Sequence, residues 1–125
     1  MSVNKILVVD DSATDTHLIC NALSAAGYKP ISVGNAEQAL DVARAEHPHA
    51  ILMDVVMPGT NGFQATRMLH RHPDTADIPV IILSSKSKAS DKVWGLRQGA
   101  VGYITKPFSN KELIEKLRDL IADDK

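Results

Sequence analysis

Cysteine, aromatic residues and long apolar runs are scarce in this sequence, and each shortage excludes a class of protein. Cys20 is the single cysteine, so no disulfide can form within the chain. No apolar run approaches the roughly 20 residues that a membrane-spanning helix needs. The N-terminal stretch MSVNKILVVDD lacks the cleavage site of a signal peptide. We therefore expect a cytoplasmic protein that does not insert into a membrane.

Neither sign of charge dominates the sequence. The 14 Lys and Arg residues and 15 Asp and Glu residues give a formal net charge of −1, whereas an autonomous nucleic-acid-binding domain carries a basic excess. We expect no nucleic-acid partner. The 125 residues are 44% hydrophobic, which suits one domain around one core. We expect a monomer whose single domain spans residues 1–125, with no output domain.

Short apolar runs alternate with segments of helical periodicity along the chain. Strands are predicted at Lys5–Val9, 30–33, Ala50–Met53, 79–83 and 101–105. Helices are predicted at 14–26, from the N-cap Asn35 to Pro48, at 62–70, at 89–98 and from Ser109 onward. Gln38 follows Asn35 and Glu112 follows Ser109 at the spacing of a capping box, so we predict one at the start of each of these helices.

Several predicted helices have one apolar face. The stripe of the first helix comprises Leu18, Ile19, Ala22, Leu23 and Ala26. The third helix presents Phe63, Thr66 and Leu69, and the last presents Leu113, Ile114, Leu117 and Ile121. Such stripes pack against a sheet or another helix.

The alternation of strands and helices predicts an α/β fold. Strands that are apolar almost throughout indicate a parallel sheet covered on both faces. With right-handed crossovers, the best match for this length is a flavodoxin-like, doubly wound fold with strand order 2-1-3-4-5. Ligands of such folds bind beyond the carboxyl ends of the strands, at the crevice where the strand order reverses.

Polar side chains follow the strands that border this crevice. Asp10 and Asp11 end the first strand, Asp54 ends the third, Ser84 ends the fourth, and Lys106 follows the fifth. Three converging carboxylates repel each other unless a cation lies among them. Mg²⁺ prefers such oxygen ligands and commonly binds phosphate oxygens as well. The pattern therefore predicts a magnesium site at which one carboxylate attacks a phosphoryl group and the Lys106 ammonium neutralises its oxygens.

The motifs VVDDS, LMDVVMPGTNG, ILSSK and GYITKPF resemble those of response-regulator receiver domains in order and spacing, across essentially the whole chain. The resemblance implies that Asp54 accepts the phosphoryl group and that Asp11, Asp54 and the backbone carbonyl of Val56 bind Mg²⁺. Asp10 would hold the ion mostly through water.

The same resemblance assigns roles to the other side of the crevice. Ser84 would be the switch hydroxyl, Tyr103 the aromatic residue that moves with it, and Lys106 the contact to the phosphoryl group. The Lys106–Pro107 peptide bond would be cis.

The resemblance also implies a partner and a way of signalling. A histidine kinase would donate the phosphoryl group. Phosphorylation would then reorder the face formed by the fourth helix, fifth strand and fifth helix, which carries Trp94, Tyr103 and Lys111, for a downstream motility or regulatory protein. The segments DVVMPGTNGFQATR and DKVWGLRQGAVGYITKP are most similar to the small receivers of pilus-type chemotaxis systems, which control twitching motility. We expect no external substrate, so the chain would be a switch that catalyses its own phosphorylation and could also hydrolyse its own acyl phosphate, rather than an enzyme.

Other functions stay open at this point. The chain could be a phosphate sink for a shared kinase, or a receiver that binds partners without phosphorylation. A flavin-binding electron carrier has the same predicted fold, but the acidic DDSATD would repel a flavin phosphate and aromatic residues are only 4% of the chain. A haloacid-dehalogenase-type phosphatase has its two acids two positions apart, whereas Asp10 and Asp11 are adjacent.

The histidines and the cysteine give weaker evidence of metal binding or catalysis. The pairs His47 and His49, and His70 and His72, lie at predicted helix ends away from the crevice. They are more typical of surface and helix-terminal residues than of metal ligands. Cys20 has no neighbouring base in any pattern of the sequence, so we expect a partly buried, unreactive thiol.

Overall fold

A computed structural model of the chain describes residues 4–56 and 61–122. The strands are β1 (Lys5–Val9), β2 (Lys29–Val33), β3 (Ala50–Met53), β4 (Val80–Ser84) and β5 (Gly102–Thr105). The helices are α1 (Ala13–Ala25), α2 (Ala36–Glu46), α3 (Gly62–Arg71), α4 (Ala89–Arg97) and α5 (Asn110–Ala122). Strands and helices thus alternate through the described chain, with bounds within about two residues of those predicted.

The sheet has the predicted architecture. Its strands are parallel in the order β2-β1-β3-β4-β5. Every residue of β3 and β4 is buried, because helices cover both faces of the sheet. One core cluster lies on the side of α2 and α3, around Leu7, Ile51 and Leu69. The other lies on the side of α1 and α5, around Leu23, Leu113 and Leu117.

Helix α1 departs from its predicted apolar stripe at one position. Ile19, Ala22 and Leu23 are buried as expected, but the prediction for Leu18 is wrong, since this side chain is 61% exposed. Leu18 lies at the rim of a groove beside Pro107 and Phe108. Helical spacing alone does not show that the neighbouring loop leaves this side of the helix open.

At the start of α5, Ser109 accepts a hydrogen bond from the Glu112 backbone N–H at 3.0 Å, as predicted for an N-cap, but the capping box predicted at the start of α2 is not reciprocal. Asn35 does accept a hydrogen bond from the Gln38 backbone, but the Gln38 side chain accepts from Gly34 rather than from Asn35. A reciprocal capping box instead starts α3, where Asn61 and Gln64 accept from each other's backbone N–H. This box anchors α3 beside the carboxyl end of β3.

No helix in the described ranges combines the length and apolar character that crossing a membrane requires.

Candidate functional site

The parallel register brings the predicted polar residues to one edge of the sheet. Val9 of β1 lies opposite Met53 of β3, so the residues that follow these strands, Asp10 and Asp54, are neighbours. The Asp54 backbone N–H donates to the Val9 carbonyl at 2.9 Å, which fixes this alignment. On the other side, the Lys106 backbone N–H donates to the Ser84 carbonyl at 2.8 Å.

Three carboxylates form a cluster at this edge. One carboxylate oxygen from each of Asp10, Asp11 and Asp54 lies within 4.8 Å of the other two. Asp10 and Asp54 are 4% and 8% exposed, whereas Asp11 is exposed. Buried like charges at this spacing repel each other strongly. The donor set fits a hard divalent cation such as Mg²⁺, which takes carboxylate oxygens and keeps several waters.

Asp10 is held in a fixed orientation by two donors. Its Oδ1 accepts from the Ser12 backbone N–H at 2.9 Å, and its Oδ2 accepts from the Lys106 ammonium at 3.0 Å. Ser12 is also the N-cap of α1, because its hydroxyl accepts from the Asp15 backbone N–H at 3.3 Å. The turn that starts α1 therefore also positions the first acid of the cluster.

Among the residues that the structure describes, Lys106 carries the positive charge closest to this cluster. Its Nζ lies 3.0 Å from Asp10 Oδ2, 2.9 Å from Asp15 Oδ2 and 3.9 Å from Asp54 Oδ1. Burial lowers the pKa of the ammonium, but the hydrogen bonds to Asp15 and Asp10, together with the negative charges of Asp54 and Asp10, outweigh burial and raise the pKa above its usual value. Lys106 therefore stays charged and faces the predicted phosphoacceptor.

The negative charge of Asp54 is stabilised less well by its neighbours than the positive charge of Lys106. Burial raises the pKa of its carboxyl to about 6, even though Lys106 lowers it. The repulsion from Asp10 adds to the increase, whereas the Val55 backbone N–H, which donates to Asp54 Oδ1 at 2.9 Å, opposes it. An added cation would stabilise the ionised, nucleophilic form of this carboxylate.

Gly62 makes the close approach of α3 to this site possible. A Cβ on Gly62 would overlap the backbone carbonyl of Asp54 and lie 2.8 Å from the Val55 Cα. The Gly62 backbone N–H donates to the Val55 carbonyl at 3.1 Å. Only glycine lets the helix start against the backbone that carries Asp54.

A hydrogen-bonded chain links the site to Tyr103 on β5. The hydroxyl of Ser84, a fully buried residue, accepts from the Lys86 backbone N–H at 3.1 Å. The Tyr103 hydroxyl donates to the Lys86 carbonyl at 2.7 Å. The Tyr103 ring packs against the small core cluster that includes Val55 and Phe63. Lys86 is thus the shared partner of both predicted switch residues.

The structure brings together most of the predicted site residues. Asp10, Asp11, Asp54 and Lys106 converge, Ser84 borders them, and the Lys106–Pro107 peptide bond is cis, as expected. The role of the Val56 carbonyl stays a prediction. Residues 57–60 of the motif LMDVVMPGTNG lie outside the described chain.

The sequence interpretation missed Asp15. This residue is the second carboxylate partner of Lys106, and it lies in the first turn of α1. An acid in the first turn of a helix has an ordinary explanation in the helix dipole. The only sequence signal was its position one helical turn beyond the acid pair.

The histidine pairs lie away from the cluster, in agreement with the prediction. His47 ends α2 in a left-handed conformation, and His49 Nδ1 accepts from the Lys5 backbone at the opposite edge of the sheet. His72 ends α3. Among the residues that the structure describes, the three aspartates are the only group with metal-ligand geometry. Cys20 is partly buried, and burial raises the pKa of its thiol, as expected for an unreactive cysteine.

The fold and the acidic cluster define a receiver of the two-component type, and comparison with known proteins places the chain in that class. The model of the response regulator receiver domain matches residues 6–118. This chain belongs to the response-regulator receiver domain family, whose members are switches of two-component signalling. It is 43% identical over 118 residues to protein PilH of Pseudomonas aeruginosa, a match that covers 94% of this chain and 98% of PilH.

Other relatives are longer. The phosphate regulon transcriptional regulatory protein PhoB of Pseudomonas aeruginosa is 42% identical over 116 residues, which are 93% of this chain and 51% of PhoB. The chain thus spans about half the length of that regulator.

Solved structures of receivers superpose on nearly the whole chain. The chemotaxis protein CheY4 of Vibrio cholerae superposes with a TM-score of 0.90 at 27% identity, covering 95% of this chain and 99% of that one. The receiver domain of the sensor histidine kinase PA1611 from Pseudomonas aeruginosa superposes with a TM-score of 0.90 at 30% identity, covering 97% and 99%. The latter structure has a magnesium ion coordinated in its active site cleft.

Proposed function

We propose that this chain is a phosphorylation-dependent switch in which Asp54 accepts a phosphoryl group from a histidine kinase. The observation that carries the proposal is the convergence of Asp54 with two further carboxylates and an ammonium at one edge of the sheet. An Asp54 carboxylate oxygen would attack the phosphorus of a phosphohistidine. The P–N bond breaks as the P–O bond forms, and the histidine leaves with the bonding electron pair.

Asp10, Asp11 and Asp54 would hold Mg²⁺, with the Val56 carbonyl as a further ligand. The bound ion would supply the positive charge that neutralises the carboxylates and the phosphoryl oxygens. The grouping of three carboxylate oxygens within 4.8 Å of one another and the metal in the related PA1611 receiver support this part of the proposal.

Lys106 and Ser84 would bind the phosphoryl oxygens, and Lys86 would pass the change to the surface. When the Ser84 hydroxyl turns toward the phosphate, its hydrogen bond from the Lys86 N–H weakens. The Lys86 carbonyl then shifts, and the Tyr103 hydroxyl loses its acceptor. This would rearrange the face formed by α4, β5 and α5, on which Trp94 is half exposed and Lys111 is exposed.

The test of the acceptor is intact mass spectrometry after incubation with acetyl phosphate and Mg²⁺. We expect one added phosphate on the wild-type chain and none on Asp54→Asn. Asp74→Asn, which removes an exposed carboxylate at the other edge of the sheet, serves as the control and should be modified like the wild type. Full phosphorylation of Asp54→Asn would show that another residue is the acceptor.

We propose further that the switch acts in a chemotaxis-type system that controls twitching motility. The similarity to PilH over 98% of that protein supports this assignment. Phosphotransfer from a radiolabelled chemotaxis-type kinase, with and without a second receiver as competitor, tests it. Rapid transfer that drains the label from the competitor would favour a phosphate sink. Absence of transfer from any such kinase would contradict both roles.

A further inference from the structure

The carboxylate of Asp15 is the least expected member of the site. It extends from the first turn of α1 and lies 2.9 Å from the Lys106 ammonium, slightly closer than Asp10 at 3.0 Å. The Lys106 side chain is only 17% exposed, whereas that of Asp15 is 42% exposed. Asp15 thus contacts a largely buried ammonium from the solvent side.

The ammonium has three N–H donors. Two of them are directed to Asp10 and Asp15, while Asp54 Oδ1 lies at 3.9 Å, beyond hydrogen-bonding distance. In this arrangement the Lys106 ammonium interacts mainly with Asp15 and Asp10, and not with the Asp54 carboxylate.

A phosphoryl group on Asp54 needs the same ammonium. Because it is an anion, its oxygens would compete with the Asp15 carboxylate for Lys106, and the Asp15 charge would also repel them directly. Both effects weaken the binding of a phosphoryl group at Asp54.

We propose that Asp15 is a positioning residue that restrains Lys106 in the resting state and opposes binding of a phosphoryl group at Asp54. Asp15 sets how strongly the unphosphorylated state is favoured, without contacting the phosphoryl group. The inference rests on the proposed phosphorylation of Asp54 and identifies a residue that regulates it.

The test is the affinity for beryllofluoride, an analogue of the phosphoryl group on an aspartate, measured by calorimetry at a Mg²⁺ concentration that saturates every variant. We expect Asp15→Asn to bind beryllofluoride about three- to fivefold more tightly than the wild type, which is the upper part of the range for losing one partly exposed ion pair. The asparagine keeps the size of the side chain and one acceptor oxygen but removes the negative charge.

Two variants separate this role from a general effect of charge or folding. Asp15→Glu keeps the carboxylate and should bind beryllofluoride within about twofold of the wild type. Asp41→Asn removes an exposed carboxylate on α2, away from Lys106, and should leave the affinity unchanged. Thermal unfolding and a separate Mg²⁺ titration of each variant verify that it is folded and saturated with metal.

The outcomes distinguish the inference from the proposed function. A wild-type chain that binds no beryllofluoride would contradict the phosphoacceptor site itself. Binding by the wild type with equal or weaker binding by Asp15→Asn would overturn the restraint. Equally tight binding by Asp15→Asn and Asp41→Asn would assign the effect to net charge and overturn it too.

Discussion

Ion pairs lie at both the amino edge of the sheet, where its parallel strands begin, and the carboxyl edge, where they end. The pairs at the two edges differ in burial and in the ratio of cations to anions. At the amino edge, Lys5 pairs with Glu46 at 3.2 Å and Arg44 with Asp74 at 3.2 Å, one cation to one anion, and each side chain is at least 35% exposed. At the carboxyl edge, one ammonium serves Asp10, Asp15 and Asp54, and the Asp10 side chain is 2% exposed.

This difference distinguishes ordinary surface ion pairs from the charged groups of a functional site. Exposed, balanced pairs cost little to form and contribute little to stability. Burying several carboxylates around one cation opposes folding, so such an arrangement points to a functional role. The carboxyl edge retains negative charge that a metal ion and a phosphoryl group can use.

Removing one cation from each edge should give the largest difference in stability between the two edges. Lys106→Met leaves buried carboxylates without their counter-ion and should reduce the free energy of unfolding at pH 7 by about 2–4 kcal/mol. Lys5→Met at the amino edge should cost no more than about 1 kcal/mol. Urea unfolding of both variants measures these values, and equal losses would mean that the two edges do not differ as described.

Two glycines at the carboxyl edge differ in how closely other backbone atoms approach them. Gly62→Ala should lower the free energy of unfolding by roughly 3 kcal/mol, because its Cβ would collide with the backbone of Asp54 and Val55. Gly34→Ala, after β2, meets no atom within 4 Å and should change stability by less than about 0.5 kcal/mol. Thermal melts compare the two, and an undisturbed Gly62→Ala would show that α3 can move away without cost.

The buried carboxylate of Asp54 should make the wild type less stable than the Asp54→Asn variant. Its pKa is about 6 in the folded chain against 3.8 in the reference state, so the folded state binds more protons between these values. The penalty is therefore fully present above pH 6 and disappears as the pH falls toward 4. Asp54→Asn should gain about 1–3 kcal/mol at pH 7 in a chelator.

The pH dependence of that gain is its control. The advantage of Asp54→Asn should shrink as the pH is lowered from 7 to 4, as measured by urea unfolding of both proteins. Asp74→Asn, at the exposed amino edge, should show no such gain. A gain for Asp54→Asn that did not depend on pH would arise from packing and not from the charge.

The sequence predicted the parts of the fold that depend on pattern. Apolar runs located the strands, their burial on both faces indicated a parallel sheet, and right-handed crossovers gave the strand order. Together these placed Asp10, Asp54, Ser84 and Lys106 at one edge. The resemblance to a family then supplied the cis bond before Pro107.

Other features depend on tertiary contacts that no local pattern encodes. The partnership of Asp15 and Lys106 joins residues far apart in the chain. The exposure of Leu18 depends on the loop around Phe108, and the need for glycine at position 62 depends on the path of the chain after β3.

A magnesium titration tests the central claim of a cation among the three carboxylates most directly. In NMR spectra of the wild type, Mg²⁺ should cause saturable shifts of the amides around Asp10, Asp11 and Asp54. Asp11→Asn should bind the ion at least about tenfold more weakly. A wild-type spectrum that does not change at these positions, at Mg²⁺ concentrations that saturate other receivers, would contradict the account.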